Sequence, residues 1–303
     1  MNTAPKISLI MSVYNGEDYL RDAIESVLNQ TFRNFELIVI NDCSTDGTGE
    51  ILNRFAELDE RIKVHTNEVN LRLPSSLNKA IALAQGKYIA RMDADDICLP
   101  GRLEKQYAFM ENNPKVALSS CRFMTLKNGV ISSGGCGGKS DKESIKALLL
   151  VTNPILHPGI IAKADAIRSL GYDKNFTCTE DMELWTRFVM AGYDIEIMPE
   201  YLMIYRLHDK QITETTLEKQ HKEVVAIQKN YCGNLVGVMN PEHRPEPCGA
   251  EKFQSSFPKP IPRITPSLIL IGIITFSFCF AEMAPFLKRG APNVLNVSSD
   301  SST

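Results

Sequence analysis

The chain has 303 residues, enough for about two compact units. Its composition, 44% apolar and 23% charged, is that of an ordinary globular protein and excludes collagen, a disordered chain and a multi-span membrane protein. With 33 basic and 36 acidic side chains the net charge is −3, without the basic excess of a nucleic-acid surface. Ile7–Val13 is an apolar run too short for a secretory leader and reads as a strand, closed by the turn Tyr14-Asn15-Gly16. Glu17–Asn29 carries apolar residues at helical spacing. Phe35–Ile40 is a second strand, and the polar loop Asn41–Gly47 leads into a helix over Thr48–Leu58. A strand over Ile62–Thr66, a helix over Ser75–Ala84 and a strand over Lys87–Met92 follow. Strand and helix alternating at this spacing predict βαβ units, a mostly parallel sheet and right-handed crossovers. Ligands of such sheets bind beyond the carboxyl ends of the strands, where Tyr14–Asp18, Asp42–Asp46 and Asp93–Asp96 should converge.

The second half is less regular. Val116–Leu126 reads as a strand, and Gly129–Lys139, with five glycines, as a mobile loop. Helices are expected over Asp141–Leu150, Glu180–Ala191 and His221–Tyr231, with a strand over Asp194–Met198. Seven prolines between Asn240 and Pro266 mark an extended linker, and Asn296–Thr303 is a polar, Ser-rich tail. Between them, Ile264–Ala281 offers 18 uncharged residues flanked by Lys259, Arg263, Lys288 and Arg289. That length fits either a buried helix or a membrane-associated segment. The expected organisation is therefore 1–110, 111–239 and a C-terminal extension over 240–303. The eight cysteines are scattered with no CxxC pair, so they read as reduced thiols and not as a zinc site or a disulfide framework.

Two acidic clusters carry the chemistry. Asp93, Asp95 and Asp96 crowd three carboxylates at a strand end, which is costly unless a cation binds there. Either a hard divalent ion brought with a substrate's phosphates meets that need, or the segment is a solvated acidic turn. Glu180 and Asp181 open a helix, where they serve either as first-turn acids that complement the dipole or as a general base. Trp185 on the same helix is a core residue or an acceptor platform, and His157 before Pro158 reads as structural.

These residues fall into a pattern. Ser12-Val13-Tyr14-Asn15, Asn41–Thr48, Leu77–Ile81, Ala84–Ala90 and Arg91–Asp96 are followed by Pro100–Gln106, Asn153-Pro154 and His157-Pro158. Gly171-Tyr172, Glu180-Asp181 with Trp185, and Tyr205–His208 complete it. In this order, from Lys6 to about Ile212, the chain resembles the family 2 inverting glycosyltransferases of polysaccharide and lipopolysaccharide biosynthesis. The resemblance implies a GT-A fold, an α/β architecture with a mostly parallel central sheet flanked by helices. It also implies a nucleotide-sugar donor (a UDP-sugar before any other), a glycan or lipid-linked acceptor, and Mn²⁺ or Mg²⁺ as cofactor. Carried over by motif, Ser12, Tyr14 and Asn15 would line the nucleotide pocket and Asp42 would bond the base. Arg72 would reach the base or the phosphates, and Asp93 the ribose or sugar. Asp95 and Asp96, with His208, would hold the metal and diphosphate. Asp181 would be the catalytic base and Glu180 would shape the acceptor side. The setting implied is cytoplasmic, at the inner face of the membrane if 264–287 makes a peripheral contact there.

The chain departs from the pattern at Cys43, where Gly is usual, and at Gln211-Ile212-Thr213, a loose version of the polar stretch after the His. Inversion needs one direct displacement, a base for the acceptor hydroxyl and a counter-charge for the leaving diphosphate. A non-catalytic nucleotide-sugar-binding protein of the same fold is the alternative. A Rossmann dehydrogenase is disfavoured because Tyr14-Asn15-Gly16-Glu17 stands where GxGxxG would be required.

Overall fold

The first strand, β1 (Ile7–Val13), is buried at every position but Ser12, as a strand covered by helices on both faces must be. The computed structural model describes residues 4–134, 141–209 and 217–239. After β1 come α1 (Leu20–Leu28), β2 (Phe35–Asn41), α2 (Thr48–Leu58), β3 (Ile62–Thr66), α3 (Arg72–Leu83) and β4 (Tyr88–Arg91). Strands β3, β2, β1 and β4 lie side by side and all run parallel, the arrangement expected from the alternation. Helix α1 seats Leu20, Ala23, Ile24 and Val27 on the sheet. It starts three residues later than the apolar spacing suggests, because 17–19 form a turn. Helix α3 starts three residues earlier, since Pro74 in a first turn forfeits no hydrogen bond.

The second half extends the same sheet. Its elements are β5 (Ile97–Cys98), α4 (Arg102–Asn112), β6 (Val116–Lys127), β7 (Val130–Ser133), α5 (Lys142–Leu148), β8 (Ile161–Lys163), α6 (Ala164–Leu170), α7 (Glu180–Met190), β9 (Asp194–Arg206) and α8 (Leu217–Met239). The order continues from β4 through β8, β6 and β9 to β5, with β7 paired to β6. Here directions mix: β6 and β9 are parallel, whereas β4/β8, β6/β8, β6/β7 and β5/β9 are antiparallel. The start of the glycine-rich loop is thus a strand, while 135–140 lie outside the described residues. The strand expected to stop at Met198 runs on to Arg206. Pro199 and Glu200 bulge out between the pairs Cys121–Met198 and Arg122–Tyr201, which is where a sheet tolerates proline. The linker, the 264–281 segment and the tail also lie outside the described residues, and no described helix is long and apolar enough to cross a membrane.

Two buried polar devices lock the scaffold. The Ser8 hydroxyl donates to Glu36 Oε1 at 2.6 Å, and the Gln85 and Gly86 amides donate to the Ser8 oxygen. A Cβ on Gly86 would come within 2.5 Å of the Ser8 nitrogen, so the α3–β4 turn admits only glycine. On the other side, the fully buried Arg102 donates to the Arg91 carbonyl at 2.7 Å and to Gln106 Oε1 at 3.0 Å, and Gln106 donates to the Gly159 carbonyl. Together α4 thereby fixes the end of β4 and the His157–Gly159 turn, which face the site.

Candidate active site

The three polar loops do converge. Residues Ser12, Tyr14, Asn15, Asp42, Arg72, Arg91, Asp93, Asp95, Asn153, His157, Glu180, Asp181 and His208 line one cavity of about 1030 Å³. On its first side the loops knit into one another. Asn15, in the left-handed region at φ 51°, accepts from the Thr45 amide at 2.8 Å and donates its own amide to Ser44 Oγ. The Gly16 amide reaches Thr48 Oγ1 at 2.9 Å, and the Gly47 amide reaches Glu17 Oε2. Asp42, at the end of β2, accepts on Oδ1 from Asn67 at 2.7 Å and from the Leu71 amide at 2.8 Å. Cys43 takes a φ of 64° that glycine adopts without strain, and its thiol meets the Glu68 carbonyl. Arg72, exposed, also has a positive φ of 65°.

The Asp93–Asp96 turn follows β4. Arg91, buried on that strand, grips Asp93 with both terminal nitrogens. Burial pushes the Asp93 carboxyl up to about 6, against the opposing pull of Arg91. Asp95 Oδ2 is 3.0 Å from His208 Nε2. The His208 ring stacks on Tyr19 at 4.8 Å between centroids, and Arg206 lies over the other partner of that stack at 4.7 Å. Asp96 is fully buried; its Oδ1 accepts the Arg206 amide, and Oδ2 has no hydrogen-bond partner among the described residues. Burial, then the neighbouring Asp93 and Asp95, holds its carboxyl well above the usual range. One oxygen from each of Asp93, Asp95 and Asp96 lies within 4.8 Å of the others. An all-carboxylate set with a buried, unmet oxygen fits a hard divalent cation such as Mg²⁺ or Mn²⁺.

Glu180 and Asp181 open α7 on the other side. Asp181 accepts from Asn153 Nδ2 on one oxygen and from the Met182 amide on the other, both at 2.7 Å. Burial raises its carboxyl, and these two donors pull it back down. Glu180 is buried, and its Oε2 has no hydrogen-bond partner among the described residues. Burial and the adjacent Asp181 push it up to about 8. Its Oε1 is 3.9 Å from Nδ1 of His157, whose Nε2 is 2.7 Å from the Tyr172 hydroxyl. Burial, then Arg91, holds His157 well below the ordinary imidazole value, so it is neutral at pH 7. Trp185 is completely buried, edge-on to the His157 ring at 5.7 Å, and is core rather than a platform.

The motif residues named from sequence thus gather around one cavity, with Asp96 immediately behind its wall. Pattern reading gave no role to Arg91, Asn153 or Tyr172. A signal was present for the first of them, since a guanidinium inside the apolar run KYIARM must find a buried carboxylate.

The model of the family described as glycosyl transferase family 2 matches residues 8–135. The O-antigen biosynthesis glycosyltransferase WbnJ of Escherichia coli is 35% identical over 217 residues, 70% of this chain and 83% of its own. An uncharacterized glycosyltransferase of Methanocaldococcus jannaschii is 34% identical over 241 residues, 76% of this chain and 83% of its own. Among solved structures, Staphylococcus aureus TarS 1–349 in complex with UDP-GlcNAc superposes with a TM-score of 0.61 at 20% identity, over 78% of this chain and 67% of that one. A mannosyltransferase from Pyrobaculum calidifontis, in complex with GDP-Man and Mn²⁺, gives 0.58 at 16% identity, over 96% and 77%. At such identities the structural likeness establishes a shared fold.

Proposed function

The chain belongs to glycosyl transferase family 2 and has the GT-A fold of a glycosyltransferase, and from that premise we propose that it transfers a sugar, with inversion, from a nucleoside-diphosphate sugar to an acceptor hydroxyl. The reading includes dependence on Mn²⁺ or Mg²⁺ and a role in assembling a surface polysaccharide or lipid-linked glycan. What carries it is a single cavity reached by two carboxylate groups of different character, Asp93–Asp96 and Glu180–Asp181.

In this reading Ser12, Tyr14 and Asn15 form the floor for the nucleotide, and Asp42 turns Oδ2 to the base because Oδ1 is already taken twice. Arg72 supplies a cation for the base or the phosphates, and Asp93 orients the ribose or the sugar. Asp95, Asp96 and His208 would hold the divalent cation, which supplies counter-charge to the leaving diphosphate. On the acceptor side, Asp181 takes the hydroxyl proton. Asn153 and the Met182 amide support its ionised form, and both aim it from the first turn of α7. Glu180, whose carboxyl burial and Asp181 push up to about 8, shapes the acceptor side and would donate a hydrogen bond, without transferring its proton, to an acceptor oxygen other than the attacking one. No enzyme nucleophile is needed. The relative named for O-antigen biosynthesis supports a glycan or lipid-linked acceptor.

A thermal-shift panel of UDP-, GDP- and dTDP-sugars with and without Mn²⁺, followed by turnover with and without EDTA, tests the proposal. One nucleotide class should raise the melting temperature only with metal, and EDTA should stop turnover. Binding without turnover would favour the non-catalytic alternative, and turnover indifferent to EDTA would remove the metal.

A further inference from the structure

Thr179 occupies the N-cap position of α7, yet its side chain caps no amide of that helix. An N-cap threonine ordinarily accepts from the second or third amide, for about 1 kcal/mol. Here Asp181 accepts from the Met182 amide, and the Thr179 hydroxyl turns outward to donate to Glu223 Oε2 at 2.7 Å. The same oxygen accepts the Cys178 amide at 3.2 Å. Lys219, one turn earlier on α8, donates to Thr177 Oγ1 and lies 3.6 Å from Glu223 Oε1. All three residues that lead into Glu180 and Asp181 are therefore held by one i, i+4 pair of α8. Glu223 has a side chain only 11% exposed, although it stands near the helix's N-terminal end. Further along the helix, Ile227 and Tyr231 are buried in the core cluster that holds Trp185 and Phe188, so the pair projects from a fixed support. Lys219, Gln220 and Val224 also line the cavity itself.

We propose that the Lys219–Glu223 pair of α8 is a positioning device for the acceptor side, setting the entry of α7 and through it the Asp181 carboxylate. The inference rests on the reading of Asp181 as the base. Thr179 gives its hydroxyl to Glu223 instead of to its own helix, so the start of α7 is registered against α8. A catalytic group displaced by about 1 Å can lose about 100-fold in rate, so a clamp on the preceding three residues acts on kcat.

The full-length protein is compared with Glu223→Leu, Glu223→Gln, Thr179→Val, the Thr179→Val/Glu223→Leu double variant and Asp181→Asn. Amide hydrogen exchange is followed over 177–183 and, as reference, over 14–46. Transfer is measured with whichever of UDP-glucose, UDP-N-acetylglucosamine and GDP-mannose turns over, with Mn²⁺ and a membrane-lipid extract as acceptor. Glu223→Leu should speed exchange over 177–183 and leave 14–46 unchanged. Its kcat should fall about 10- to 100-fold with the donor KM within about 2-fold. Glu223→Gln keeps an acceptor oxygen and should restore most of both. Thr179→Val should resemble Glu223→Leu, and the double variant should be no worse than either. Wild-type exchange and kcat in Glu223→Leu, additive losses in the double variant, or no rescue by glutamine would each overturn the proposal. Wild-type turnover in Asp181→Asn would instead remove the reading of the base, while the exchange data still decide whether the clamp exists.

Discussion

The two sides of the cavity are built on opposite plans. Around Asn15 and Asp42, nearly every loop group meets another: Asn15 with Ser44 and Thr45, Gly16 with Thr48, Gly47 with Glu17, Asp42 with Asn67 and Leu71. Around Asp96 and Glu180 the pairing is incomplete. Among the described residues, the buried side-chain polar atoms lacking a hydrogen bond are Arg91 Nε, Asp96 Oδ2, Glu180 Oε2 and Trp185 Nε1. Each such atom costs about 1–3 kcal/mol. The first side keeps its shape through its own bonds, whereas the second holds charge and polarity under tension. A carboxylate under that tension is the kind that gains most from meeting a cation or a proton donor.

The contrast breaks most severely at Asp181. Asp181→Asn should leave donor and metal binding intact and lower kcat about 10²–10⁴-fold, or about 3–5 kcal/mol of barrier. As a mere first-turn acid of α7 it would cost only its charge–dipole interaction, about 0.3–1 kcal/mol of stability, and no turnover when replaced by asparagine. Steady-state kinetics with a true acceptor, beside donor titration by calorimetry, separates the two.

A smaller break is expected behind the cavity wall. Asp96→Asn removes a charge that burial disfavours, so the metal-free protein should be as stable or more so. Mn²⁺-dependent nucleotide affinity should nonetheless weaken by at least about 10–100-fold. Calorimetric titration in the same buffer, showing unchanged affinity, would move the cation away from this residue.

Asn153→Ala sharpens the comparison. It strips Asp181 of one of its two donors while leaving the first side untouched. The carboxylate's pKa should rise, and the acid limb of the kcat profile should move upward with it, with a loss of about 10-fold at neutral pH. An unshifted limb would mean that Asn153 does not touch the ionised base.

The gentlest test uses stability alone. Glu180 is raised from its ordinary value of 4.5 to about 8, so between those limits the folded chain binds its proton more tightly than the unfolded chain does. Its contribution is fully present below about pH 4.5 and is lost as pH rises through about 8. In EDTA, the melting temperature of the wild type should therefore fall more steeply over that window than that of Glu180→Gln. Parallel curves would show that Glu180 is ionised throughout.

The first side was legible in the sequence and the second only in part, its helices and the long strand β6 but not its short strands, for a physical reason. Strands β1 to β4 alternate with their helices, β2 pairs with the strands just before and just after it, only the β1–β4 pairing skips along the chain, and the loops at their ends announce themselves by polarity. Beyond Asp96 the partners are remote. β8 has three residues and β5 two, too few for any periodicity, and both are defined by pairing with distant strands. The sequence pattern stops β9 at Met198, before Pro199, because a bulge is invisible without the partner strand. The Glu180–Asp181 pair was recognisable by pattern, but the surroundings that alter its ionisation, Asn153, His157 and Tyr172, are brought there only by folding.

The hydrogen bond from the Arg206 amide to Asp96 Oδ1 spans 110 residues of chain. A nascent polypeptide that has finished β1 to β4 has the loops around Asn15 and Asp42 but leaves Asp96 without that bond until β9 emerges and pairs with β5. At roughly 5–20 residues per second, several seconds of synthesis separate the two events. Contacts of such long sequence separation also form late in refolding, since loop closure must precede them. The carboxylate cluster is therefore completed only as the last strand of the sheet is laid down, and a chain truncated before Arg206 would carry the acidic motif without the bond that orients it.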